Sequence, residues 1–312
     1  MNTRQHYERP APPLRAHHVP GTDTSPFAEM MQRYTLGTMD PEQSRSFRLD
    51  VERWVTDNPV DIWSARYKHN ERSFLDTRCW GADHDFGDGL VVEGAMADRH
   101  LSNLARITGP GGIDPTRDVQ ERDCCVVGCW CGEELLLLDA MGARSCCGVE
   151  EVPEYAEWSS RQLRAWGVEG RVFPGSIFSL DEGWLHPHLD FLFLSGMLYH
   201  VTDMVTVLAL SWATIRPGGR LAVETSCAGG SERQATYLGA LRPGWNWWAP
   251  SPGCVLAMLA DCGFEEARQV DSIGGRVTFV AVRGDRLPLV NSGSAGFSRP
   301  DLRGLLASLA RG

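Results

Sequence analysis

The sequence predicts an α/β fold in which a mostly parallel sheet of seven strands, the last pair antiparallel, follows an N-terminal accessory region. Three observations carry this expectation. Short apolar runs alternate with helix-like segments from Cys124 onward, the pattern of a parallel sheet covered on both faces. The first run, CCVVG (Cys124–Gly128), enters a glycine-bearing turn and then a helix. The last two runs, FEEARQV and RVTFVAV, are joined by Gly-Gly, which suits an antiparallel pair.

Residues 1–25 are rich in Pro, Arg and His, lack periodicity and are expected to form a mobile arm. Residues 26–117 form an accessory or lid region with mixed, weakly helical signals: RSFRLDVERWV, RYKHNERSFLD and the Gly/Asp-rich CWGADHDFGDGLVVEG. The breaker-rich TGPGGIDPTRD (Thr108–Asp118) sets the domain boundary.

Within residues 118–284, CCVVG is strand one and EELLLLDAMGA the helix after it. SCCGVE (Ser145–Glu150) is strand two, and PEYAEWSSRQLRAWG starts with proline and stops at glycine, as helices do. GRVFPGS and LDFLFLSG (Leu189–Gly196) are strands three and four. DMVTVLALSWATI reads as a helix broken by RPGG (Arg216–Gly219), with RLAVET as strand five. SPGCVLAMLADCGF is a helix capped by Ser251 and closed by Gly263. Residues 285–312 read as a polar tail with a short amphipathic helix, RPDLRGLLASLA.

Composition narrows the function. The chain has 312 residues, 43% hydrophobic and 22% charged, as in globular proteins. No apolar run is long enough to cross a bilayer, and the N-terminus lacks the apolar core of a secretory signal. The expected compartment is cytoplasmic. A net charge of −10 with a single lysine, Lys68, argues against a nucleic-acid partner. Ten cysteines do not imply disulfides here, because several lie in apolar runs where a thiol packs as a small hydrophobe.

In a doubly wound sheet, ligands bind beyond the C-terminal strand ends, at the switch in strand order. Strand one ends in VVGCWCGEE, where Gly128 and Gly132 allow close backbone approach and a tight turn. Strand two ends at Glu150, roughly twenty residues past the first glycine, where an acid can hold both hydroxyls of a ribose. The plainer reading is that Glu150 and Glu151 are helix-start acids. After strand three, Ser176 and Ile177 in GSIF could flank an adenine or form an ordinary loop. After strand four, SGMLYHVTD offers Ser195 and Gly196 as a small-residue floor, with Tyr199 and His200 reaching the cavity.

Taken in order, these motifs resemble the class I S-adenosylmethionine-dependent methyltransferases over about Glu121 to Arg283. GDGLVVEG, GCWCG, LYHVTD, PGGRLAVET and NWWAPSPGCVLAMLADCGF are similar to the branch that includes the carboxy-S-adenosylmethionine-dependent tRNA uridine transferases. The resemblance implies S-adenosyl-L-methionine as cofactor, held by Gly128, Cys129, Trp130, Gly132, Glu150, Glu151, Ser176, Ile177, Ser195 and Gly196. Three departures stand out. Val126 occupies the position of a usual acid, Trp130 that of the middle glycine, and Ser176 that of an aspartate in many relatives.

The activity these features imply is methyl transfer to a small-molecule acceptor. His200 is the expected base, and Tyr199 and Trp130 are aromatic faces for the sulfonium. Trp245, Asn246, Trp247 and Trp248 are the expected acceptor wall. Alternatives are cyclisation of the cofactor with release of methylthioadenosine, motivated by Val126 and Trp130, a tRNA-modifying transferase, and a non-catalytic binding module. A metal site at Cys124, Cys125, Cys129 and Cys131 is not expected. Adjacent strand residues point to opposite faces, and the C-x-C gap is not that of a zinc knuckle.

Overall fold

The computed structural model describes residues 22–57, 80–94, 96–179, 188–230, 232–239 and 246–288. The expected N-terminal arm to residue 21, the segment RYKHNERSFLD and the C-terminal helix lie outside these residues, as does Trp245.

Among the described residues, α1 (Ser25–Met31), α2 (Pro41–Asp57) and α3 (Arg99–Ile107) lie before the main sheet. Between α2 and α3 a small hairpin pairs β1 (His84–Asp85) with β2 (Val91–Val92) around GDG. The regular part then runs β3 (Asp123–Val127), α4 (Glu133–Ala140), β4 (Ser145–Glu150), α5 (Pro153–Ala165), β5 (Gly170–Pro174), β6 (Leu189–Ser195), α6 (Met204–Thr214) and β7 (Ile215–Ser226). A second small hairpin joins β8 (Ala235–Tyr237) to β9 (Trp248–Pro250). Helix α7 (Pro252–Asp261) and strands β10 (Phe264–Ile273) and β11 (Arg276–Arg283) close the fold.

Strand order in the seven-stranded sheet is β10-β11-β7-β6-β3-β4-β5. Strands β7, β6, β3, β4 and β5 pair in parallel, and β11 pairs antiparallel with both β7 and β10. Gly274 and Gly275, both at positive φ, make the turn between β10 and β11, a conformation that costs glycine little.

Alternation along each strand divides the core into two layers. Cys125, Val127, Leu192, Leu194, Leu221, Val223, Phe279 and Ala281 pack with α6 and α7. Their neighbours Cys124, Val126, Phe191, Phe193, Ala222 and Val280 pack with α4 leucines, Phe27 and Met31 of α1, and Leu104 and Ile107 of α3. The accessory helices α1 and α3 thus share a core layer with the sheet. A third, aromatic cluster joins Phe47, Trp80 and Phe86 to Tyr155 and Trp158 of α5.

One boundary differs from the sequence expectation. Helix α6 ends at Thr214, just before RPGG, as expected, but β7 already starts at Ile215 and runs through RPGG instead of beginning at Arg220. Ile215 pairs with Leu189 and Arg220 with Phe191, so the Pro-Gly-Gly residues are taken up as an irregularity inside the strand. Helix caps follow expectation: Ser251 accepts from the Cys254 amide at 3.1 Å, and Gly263 sits at φ 82° just beyond α7.

Candidate active site

Strand β3 lies between β4 and β6, so the order reverses there and the crevice opens over its C-terminal end. The loop after β3 turns through three left-handed residues: Gly128 (φ 78°), Trp130 (φ 48°) and Gly132 (φ 103°). A tryptophan in that region is strained by about 1–2 kcal/mol, and three contacts hold it. Its amide donates to Glu150 Oε2 at 2.9 Å, its carbonyl accepts from Ser159 Oγ at 2.6 Å, and its ring packs 5.8 Å from Tyr155. A Cβ on Gly81 would lie 2.8 Å from the Trp130 ring, so the accessory region bears directly on this indole. The substitution of the usual middle glycine therefore has a packing reason.

Glu150 ends β4 and is buried. Its two oxygens accept the Trp130 and Val152 amides, at 2.9 and 3.0 Å, and burial lifts its carboxyl to about 7. It clasps the glycine loop while each oxygen retains a lone pair. Glu151 beside it is exposed. Cys129 is buried with its Sγ 3.9 Å from Ser159 Oγ, and burial raises the thiols of Cys125 and Cys129 well above their ordinary range. Ile177 is packed in the core, with Ser176 half-buried beside it.

Ser195 ends β6 and donates to Glu134 Oε1 at 2.8 Å, while Asn103 of α3 donates to the same oxygen at 3.2 Å. A Cβ on Gly128 would meet the Ser195 carbonyl at 3.3 Å, so the two strand ends nearly touch. Gly196 (φ 63°) is closely surrounded: a Cβ there would lie 3.2 Å from Arg276, 3.5 Å from Glu224 and 3.9 Å from the Tyr199 hydroxyl. Tyr199 is buried under the Arg276 guanidinium, 4.7 Å from its ring centre, whereas His200 is exposed. The β8–β9 hairpin is tied to this loop. Trp247 N donates to the Tyr199 carbonyl at 2.9 Å, and Trp248 Nε1 to the Thr202 carbonyl at 3.1 Å. Asn246 lies two residues before β9 with its Oδ1 buried and unpartnered.

Several charged groups were not singled out from sequence. Glu133 is buried, accepts the Trp80 indole N–H at 2.7 Å and is lifted to about 7 by burial; burial does the same to Glu134. Glu224 of β7 is fully buried. It takes both arms of Arg276 and lies 3.6 Å from Arg99 and from Arg106, which also binds Asp271. Burial alone would raise the Glu224 carboxyl, but the guanidiniums outweigh it and hold it below its ordinary value. Three guanidiniums thus face two carboxylates beneath Gly196. An acid at an interior register position of an apolar strand was the signal in the sequence.

The sheet order, the glycine turn and the antiparallel closing pair define the Rossmann-like fold of the class I S-adenosylmethionine-dependent methyltransferases. In sequence, the chain is similar to tRNA U34 carboxymethyltransferases. It is 27% identical over 160 residues to that of Idiomarina loihiensis, covering 49% of each chain. It is 34% identical over 164 residues to that of Saccharophagus degradans, covering 49% of this chain and 48% of the relative. The chain spans about half the length of the curated relatives it matches. Similar solved structures include the 1,6-didemethyltoxoflavin-N1-methyltransferase of Burkholderia thailandensis with S-adenosylhomocysteine bound (19% identity, TM-score 0.43, 53% of this chain and 72% of that one). Another is an S-adenosylmethionine-dependent methyltransferase from Mesorhizobium loti (14% identity, TM-score 0.40, 53% and 93%). No family profile matches the chain.

Proposed function

We propose that this protein is an S-adenosylmethionine-dependent methyltransferase acting on a flat small molecule. The carrying observation is the convergence of the Gly128–Gly132 turn, Glu150, the Ser195–Gly196 floor and Tyr199 at the switch point of the sheet. These groups fit a nucleoside sulfonium. Glu150 keeps acceptor capacity for a ribose, the glycines keep the turn and floor free of side chains, and the Tyr199 ring is an aromatic face. When bound, the cofactor would supply an already activated methyl group, so the chain mainly has to align the acceptor. Exposed His200 would take the acceptor's proton at the mouth, and the hairpin carrying Trp247 and Trp248 would wall the acceptor side.

Calorimetry of S-adenosylmethionine with wild type and Glu150→Ala tests the reading. Micromolar binding lost in the variant is expected; no binding by a folded wild type overturns it and leaves the non-catalytic module. Release of methylthioadenosine without any acceptor would instead establish cyclisation.

A second reading is favoured by the three guanidiniums of Arg99, Arg106 and Arg276 gathered around Glu224, with Arg276 beside Gly196. Together with the name of the curated relatives, this supports a carboxylated sulfonium donor and transfer to tRNA. Label transferred from carboxy-S-adenosylmethionine to unmodified tRNA, with none from S-adenosylmethionine to small acceptors, would decide for it.

A further inference from the structure

Glu224 has no place in the turn or the acceptor wall, yet it is the most heavily engaged carboxylate near the site. It is fully buried and opposite Ser195 in the β6–β7 register. Arg276 binds it through Nε at 2.6 Å and through Nη2, and Arg99 and Arg106 approach it from α3 at 3.6 Å. Arg276 in turn lies over the Tyr199 ring. Arg276 and Glu224 lie directly against Gly196, where a Cβ would be 3.2 and 3.5 Å from them. A buried charge of this kind is costly unless paired, and its removal would leave three guanidiniums against Asp271 and the half-neutral Glu134. Such a cluster would repel a sulfonium cation.

We propose that Glu224 is a specificity-determining residue: its negative charge offsets Arg99, Arg106 and Arg276 so that the crevice accepts a cationic sulfonium and not only its neutral thioether product. The inference rests on the cofactor reading above and adds to it a prediction about charge. S-adenosylmethionine and S-adenosylhomocysteine share almost all their contacts and differ by one methyl and one positive charge. A unit charge about 10 Å away, at an effective dielectric of about 20, changes affinity by about tenfold. A merely structural role for Glu224 would weaken both ligands alike.

The test measures both dissociation constants by calorimetry for wild type, Glu224→Gln and Arg99→Gln, with folding checked by circular dichroism. Arg99 is chosen because its side chain is partly exposed, so its loss should be tolerated. In Glu224→Gln the ratio of the S-adenosylmethionine constant to the S-adenosylhomocysteine constant should rise about tenfold. In Arg99→Gln the ratio should fall, by about three- to tenfold. If Glu224→Gln does not fold, the sign of the Arg99→Gln change decides alone. Equal weakening of both ligands in Glu224→Gln, or an unchanged or higher ratio in Arg99→Gln, overturns the inference while leaving the cofactor reading intact. A folded wild type that binds neither ligand overturns the cofactor reading and this inference with it.

Discussion

Glu133 stands at the first turn of α4, 3% exposed, with both neighbouring donors, Trp80 Nε1 and Gln162 Nε2, aimed at the same oxygen. Glu133→Gln keeps that oxygen and its two hydrogen bonds but removes the charge. Burial raises the carboxyl from its ordinary 4.5 to about 7, against the smaller opposing pull of its hydrogen bonds. The folded pKa lies above the unfolded one, so the contribution to stability is full below about pH 4.5 and is lost as pH rises through 7. Glutamine stands for the protonated acid, so the variant should gain under about 1 kcal/mol over wild type at pH 5 and about 3 kcal/mol at pH 8. Half that shift would still give a gap of about 1 kcal/mol between the two conditions. The other titrating groups, including His84 and His100, are common to both proteins and cancel in the difference. Urea denaturation followed by circular dichroism at pH 5 and pH 8 measures it. A variant less stable than wild type at pH 8, or a difference independent of pH, would refute the account of Glu133 as a buried carboxyl held against its charge.

Three further outcomes follow from the geometry. Gly132→Ala places a Cβ 3.2 Å from the Ser159 backbone at φ 103°, so about 2 kcal/mol or more of stability should be lost, with weaker cofactor binding by calorimetry. Ser251→Ala removes the acceptor for the Cys254 amide at the start of α7 and should cost about 1 kcal/mol, seen as a fall of about 2–4 °C in thermal midpoint. His200→Ala should lower turnover about 10²–10⁴-fold at unchanged cofactor affinity if the exposed imidazole is the base. A loss under about tenfold would leave His200 without a catalytic part.

The sheet was legible because its strands carry the alternation that two covered faces demand: Cys124 and Val126 go to one layer, Cys125 and Val127 to the other. Helix limits were legible from punctuation that acts locally, such as Pro153, Ser251 and Gly263. RPGG did mark the end of α6, but it hid the first residues of β7, because Pro-Gly-Gly is a breaker in most settings. Here the residues on either side pair with the same neighbouring strand, and parallel pairing of Ile215 with Leu189 carries the strand across it. That outcome depends on a partner about 26 positions away, which no local propensity contains.

The site divides along the same line. The glycine turn and Glu150 were readable because each answers to its own backbone: positive φ at Gly128 and Gly132, and amides at the loop for the acid to hold. Trp130 was readable as an anomaly but not as a packing residue, since its partner Gly81 lies far from it in sequence. Glu224 is the instructive case. In RLAVETS, register puts it on the face of Ala222, inside the α3–α4 layer, where an unpaired charge costs several kcal/mol. The alternation alone therefore demanded a cation opposite, but nothing in spacing says which. The answer came from two elements distant in sequence: α3, whose Arg99 and Arg106 descend from the accessory region, and the turn before β11, which places Arg276 beside Ser226. Because α3 supplies two of the three cations, a helix that precedes the sheet is built into the electrostatics around Glu224. Substitutions in α3 should accordingly alter ligand charge preference even where no α3 side chain touches the ligand.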